Sequence, residues 1–221
     1  MPGRLMRGVQ VAAFLAALVM TAGWSQAAVI NSLSGWSEEN PGWSGMLAGS
    51  YGASGGNSPN TSFEGSGRVQ WLGSTNVVRF LASGNRKTTD GVETKRPAVA
   101  HLRHNYLLTD MWATLVFAQI QKNPFQRLDS RILFGLGGRW RGEIKESTRI
   151  YLGASHMFEQ ESILDEPGHE KAQRLSTFVG VVSELSEIVN LDLLLFYQPR
   201  WSNFADWRMS FEATLEVELT D

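Results

Sequence analysis

Residues 130–140 read SRILFGLGGRW, and their alternation decides the fold. Ile132, Phe134, Leu136 and Trp140 share one parity, and Arg131 and Arg139 fall on the other. Successive side chains of a strand point to opposite faces, so this stretch has one apolar face and one face that carries charge. Gly135, Gly137 and Gly138 lie inside that strand, where glycine eases curvature, and no helical pattern follows them. A phosphate-binding Gly loop is therefore set aside.

Outward from this stretch the same period of two recurs in segments of about ten residues, the pattern of membrane-barrel strands. Strands are expected over 43–53, 62–71, 76–84, 98–107, 111–121, 130–140, 148–158, 173–184, 189–198 and 206–219. One parity of these strands is free of lysine, arginine and carboxylates. The other carries Glu64, Arg68, Arg79, Arg103, Arg131, Arg139, Arg149, Arg174, Asp192, Arg208, Glu212 and Glu216. A soluble sandwich would alternate in the same way, with its charges in water.

Three features favour the membrane. Trp43, Trp71, Tyr106, Trp112 and Trp140 collect at strand ends on one rim, as an aromatic girdle does at the headgroup level. Connections alternate between short (73–75, 109–110) and long (86–96, 160–172), and the girdle lies on the short-turn side, which is the periplasmic side of such barrels. Pro41, Pro59, Pro97, Pro124, Pro167 and Pro199 all fall in connections or at strand ends, where no ladder donor is lost. The expected fold is an all-β, antiparallel up-and-down transmembrane β-barrel of about ten strands.

The N-terminus carries Arg4 and Arg7, then the apolar run 11–20, then small residues up to Ala27. This is the layout of a cleaved secretory signal peptide over 1–27, since a spanning helix needs roughly 20 apolar residues. A short periplasmic segment over 28–42 and a barrel domain over 43–221 complete the expected organisation. The chain has no Cys, which excludes a lipidated N-terminal Cys, disulfides and thiolate metal sites. Residues 1–27 hold two of the 20 basic residues and none of the 22 acidic ones, leaving the remainder at −4 and giving no sign of a nucleic-acid partner.

The run KNPFQRLDSR at 122–131, continuing into GLGGRW at 135–140, resembles the YdiY-like family of salt-stress-induced outer-membrane proteins. GSYGASGGNSPNT at 49–61 and Tyr197-Gln198-Pro199 with Asp206-Trp207-Arg208 are also similar to it, and together the likeness covers about residues 43–221. The resemblance implies an outer-membrane barrel of a domain without an established reaction or ligand. It also implies a further hairpin ending on an aromatic residue, where this sequence stops at Glu218-Leu219-Thr220-Asp221. Twelve strands are expected if the record lacks that hairpin. If it does not, a ten-strand closure should bring Leu47 within hydrogen-bonding reach of the strand around Ala213.

The charged parity admits two readings: an internal salt-bridge network filling a narrow lumen in place of a hydrophobic core, or a positively biased pore for anions. The first is preferred. His101 beside Arg103 is the best-placed general base for a lipid hydrolase, but Ser155 and His156, as strand neighbours, point to opposite faces. His104 and His156 fall on the outward parity and His169 in a loop. Asn60-Thr61-Ser62 fits a glycosylation acceptor pattern that has little meaning in a bacterial export product. Neither a catalytic centre, a metal site nor a cofactor is expected. The expected partners are outer-membrane lipid and the barrel insertion machinery during assembly, with no nucleic acid and no known small-molecule ligand. Location in the outer membrane follows, with an envelope or salt-stress role; a small anion-preferring pore and an outer-membrane lipid hydrolase are the alternatives.

Overall fold

The computed structural model describes residues 41–217, so the signal peptide expected over 1–27, nearly all of the segment expected over 28–42, and the residues after 217 lie outside the described residues. Eleven strands form one sheet: β1 (Gly42–Ser54), β2 (Asn60–Leu72), β3 (Asn76–Thr89), β4 (Val92–Lys95), β5 (Ala98–Leu107), β6 (Trp112–Asn123), β7 (Leu128–Lys145), β8 (Thr148–Ile163), β9 (Glu170–Ser186), β10 (Val189–Arg200) and β11 (Asn203–Val217). A single 3-10 turn, Pro124–Gln126, separates β6 from β7. Every ladder is antiparallel, and neighbours follow sequence order except that β4 pairs only with β3. The expected all-β, up-and-down architecture is what the chain adopts.

Two adjacent rows of the register explain why the sequence alternates. Val69, Phe80, Leu102, Ala118, Phe134 and Phe158 pair in succession from β2 to β8. Among them Phe80, Leu102, Phe134 and Phe158 are 41–48 % exposed, so this row is an outward apolar face. One step along the strands, Gln70, Arg79, Arg103, Phe117, Gly135, Met157 and Arg174 pair in the same way, and the six with side chains are all buried. In this pair of rows the outward residues are apolar and most inward ones polar, a pattern a soluble sandwich does not show.

The sheet curls strongly. Arg103 on β5 lies 5.5 Å from the ring centroid of Phe178 on β9, although β6, β7 and β8 intervene in the sheet. The inner face therefore meets itself. The sheet is nevertheless open: among the described residues Leu47 pairs with Gly67 and Ala213 with Leu193, and no ladder joins β1 to β11. Of the two alternatives expected from the sequence, the ten-strand closure of β1 on β11 is not seen among the described residues. Parity fixes which face a residue takes, whereas closure depends on strand number and stagger, which parity does not encode.

Several strands run further than their apolar alternation. β8 reaches Ile163 and β9 begins at Glu170, so the long connection expected over 160–172 shrinks to 164–169. The connection expected over 86–96 is mostly ladder, with β3 and β4 joined by a tight turn at Asp90 and Gly91. The contrast in loop length between the two rims is milder than expected, and the β10–β11 connection is only residues 201–202.

Candidate functional site

The interior of the curled sheet concentrates the buried charge. β7, β8, β9 and β11 each deliver inward residues to one ionic cluster. Arg131 Nη2 donates to Glu161 Oε2 at 2.6 Å and its Nε lies 3.1 Å from Glu159 Oε1. Arg174 Nε donates to Glu159 Oε2 at 2.8 Å, and Arg208 donates to Glu159 and, at 3.1 Å, to Glu161. Arg174 also makes a forked contact with Asp206 Oδ1 through Nη1 and Nη2, both at 3.1 Å. Arg200 closes the cluster at the rim, 2.7 Å from Glu170 and 3.5 Å from Asp206.

This lattice sets four guanidiniums against four carboxylates and is neutral as a unit. Arg131, Arg174 and Glu159 are almost wholly buried. In such surroundings each charge is tolerable only because its partners sit at hydrogen-bonding distance. Arg131, Arg174 and Arg208 were foreseen. Glu159, Glu161, Glu170, Asp206 and Arg200 are not among the sequence candidates.

Nearer the other rim, Arg79 and Arg103 stand directly opposite each other on β3 and β5. Gln70 Oε1 accepts from Arg79 Nε at 2.8 Å, and Arg139 lies 5.1 Å over the ring of Tyr151. All three arginines are buried, and none lacks a partner. Between the two ionic groups lies an apolar cluster of Leu115, Phe117, Leu133, Tyr151, Met157, Phe178, Leu194 and Phe196. The interior is thus filled by ion pairs together with a hydrophobic core, correcting the expectation of ion pairs in its place. A central void of about 30 Å³ remains, bordered by His101, Phe117, Met157 and Phe178. That is room for about one water.

Glycines make this packing possible. A Cβ on Gly135 would come within 2.2 Å of the Phe117 ring, and one on Gly153 within 2.0 Å of Phe178. The Gly135–Gly138 run therefore seats an interior ring as well as easing curvature.

The remaining foreseen lumen charges lie at the margins. Arg68, Arg149, Asp192 and Glu212 are half-buried, and Glu64 and Glu216 are exposed. His101 is buried, stacks on Phe117 at 5.8 Å and sets Nδ1 3.0 Å from Gln119 Oε1. Ser155 Oγ donates to Ser176 O at 3.3 Å, while His156 stacks on Trp201 on the outward side. His104 Nε2 lies 2.9 Å from Asn76 Oδ1, and His169 is exposed. Ser155 and Ser176 border the same small void as His101, and among the described residues that line it there is no carboxylate. Among the described residues no group of three or more His, Asp or Glu could hold a metal.

The five girdle aromatics lie at one end of the sheet in three successive register rows. Trp43 pairs with Trp71 and Trp112 with Trp140, and Tyr106 pairs with Asn76 and Thr114 at the same end of the sheet. A second aromatic group, missed from the sequence, sits at the opposite end: Tyr51 pairs with Phe63, and Phe125, Trp201 and Phe204 are exposed there. Its signal was the spacing of eight residues from Trp43 to Tyr51 and from Phe63 to Trp71.

Residues 49–221 match the family model described as "Protein of unknown function, DUF481". The YdiY-like resemblance is consistent with that match. Neither a curated protein nor a solved structure matches the chain.

Proposed function

Since the chain belongs to this DUF481 family of proteins of unknown function, we propose that it is an integral outer-membrane β-barrel whose packed, ion-paired interior gives it a structural or envelope-stress role. The observation that carries the reading is the outward face. It is apolar from β2 to β8 and is bounded at both ends by aromatic pairs, Trp43–Trp71 and Tyr51–Phe63. Eight residues at ~3.4 Å each, tilted by ~40°, span ~21 Å across a bilayer, close to the ~25 Å apolar band of such barrels. A soluble domain that exposed such a face would aggregate.

The interior supports a barrel that holds its shape over one that conducts or catalyses. Its buried charge groups and apolar cluster leave a central void of about 30 Å³, and a further space of about 150 Å³ lies towards the long-loop rim beside Glu64, Asn85, Val99 and Gln121. His101 is engaged with Gln119 and Phe117. The salt-stress role rests on the family resemblance, and a deletion strain that grows normally at high salt would remove it. The membrane reading is tested by gel migration of protein folded in detergent. Unheated protein should run apart from heated protein, as folded barrels do, whereas identical migration with full solubility in buffer would overturn it.

A further inference from the structure

The outward face is interrupted at the long-loop rim. Trp201, in the β10–β11 turn, folds back over the outer surface: its backbone N–H donates to Gln173 O at 2.9 Å and its ring stacks on His156 at 6.0 Å. The fold-back walls a groove of about 660 Å³. Its floor is Ile132, Phe134 and Phe158 on β7 and β8, and its other end is Lys171, Gln173 and Arg200. In the register Phe134, Phe158 and Gln173 form one row, and Ile132, Gln160 and Lys171 form the row two residues nearer the rim. The groove therefore passes from hydrocarbon-like to polar towards β9 and the rim.

The polar end offers donors. Arg200 is fixed by Glu170 at 2.7 Å, by Asp206 Oδ2 at 3.5 Å and by Lys171 O at 3.3 Å, all through Nη1 and Nη2. A guanidinium has five N–H groups, so the fixed Arg200 still has donors to offer. Lys171 is exposed and carries no ion pair among the described residues. Gln160 and Gln173 add amide groups. The two carboxylates beside the groove are occupied, Glu170 by Arg200 and Glu159 by Arg131, Arg174 and Arg208. An apolar floor ending in an unpaired ammonium and a preset guanidinium complements an amphiphile with an anionic head.

We propose that this groove holds one phosphorylated lipid of the leaflet at the long-loop rim. An acyl chain lies on Ile132, Phe134 and Phe158, the phosphate is bound by Lys171 and Arg200, and Trp201 packs against the linking backbone. The inference rests on the membrane reading above, because only in a bilayer does this face meet lipid.

The test is native mass spectrometry of the full barrel in detergent, titrated with phosphatidic acid, with diacylglycerol of the same chains, and with inorganic phosphate alone. Wild-type protein should retain one phosphatidic acid and release diacylglycerol, and inorganic phosphate should leave no adduct. Lys171→Glu should weaken retention by about tenfold, the scale of one charge-assisted contact, and Lys171→Arg should restore it. Trp201→Ala should weaken retention without changing the preference for phosphate. Equal retention of diacylglycerol, or no effect of Lys171→Glu, would overturn the proposal. Heat-dependent migration of the same samples separates the two readings. A folded barrel that holds no lipid removes this inference alone, whereas protein that never folds in detergent removes the membrane reading and this inference with it.

Discussion

Glu159 is the residue on which the interior turns, because it faces Arg131, Arg174 and Arg208 together. Replacing it with Ala would leave the buried guanidiniums of Arg131 and Arg174 and the half-buried one of Arg208 sharing Glu161 and Asp206. Removing one partner from a buried ionic group costs about 3–5 kcal/mol, far more than a surface pair contributes. Glu159→Ala should therefore lower the unfolding free energy of the folded barrel, from urea titration in detergent, by that scale, while Glu143→Ala, whose partner Arg141 lies near the surface, should change it by less than about 1 kcal/mol. Equal shifts would contradict the assignment of Glu159 as the centre of the lattice. The three arginines were legible from parity, but Glu159 and Glu161 were not. The outward residues next to them, Gln160 and Ser162, are polar, so the alternation that marks a strand fades at Phe158 although the ladder continues to Ile163. On the membrane reading this is where β8 leaves the hydrocarbon, and beyond it the outward face no longer needs to be apolar.

At the scale of elements the same effect hid a hairpin. β3 continues to Thr89 and turns through Asp90 and Gly91 into β4. Both turn residues have positive φ, 53° and 77°, as a two-residue turn of type I′ requires. Asp-Gly is the strongest local hairpin signal, yet it lies in a stretch rich in Lys, Arg and Thr with little apolar alternation, so the pattern there resembles a loop. A Cβ on Gly91 would meet nothing within 4 Å, so a substitution there strains only the backbone. Gly91→Val should loosen this hairpin and speed tryptic cleavage at Arg86, Lys87 and Lys95, with the heat-dependent migration of the barrel unchanged. Unaltered cleavage would show that the turn does not govern the hairpin. By contrast, the alternation of β5, β6 and β7 located those strands to within a few residues, because both of their faces are consistently patterned along most of their length.

At the scale of the whole molecule, the sequence showed that the sheet has an outside and an inside, but not how its ends meet. β1 and β11 are the two edges, and β1 is exposed along nearly its whole length. Bare backbone N–H and C=O groups in hydrocarbon cost several kcal/mol each, so both edges need partners in a bilayer. The central void, bordered by residues of β5 to β11, is about 30 Å³, too small for a hydrated ion. Purified protein added to a planar bilayer should give no stepwise conductance, and steady anion-selective steps would restore the pore reading that the row of arginines first suggested. The account depends most on the outward apolar face lying in the outer membrane. Density-gradient separation of the envelope of cells producing the native chain tests this most directly. The protein should travel with the outer-membrane fraction and stay there through urea washing, and its recovery in the soluble periplasmic fraction would contradict the account.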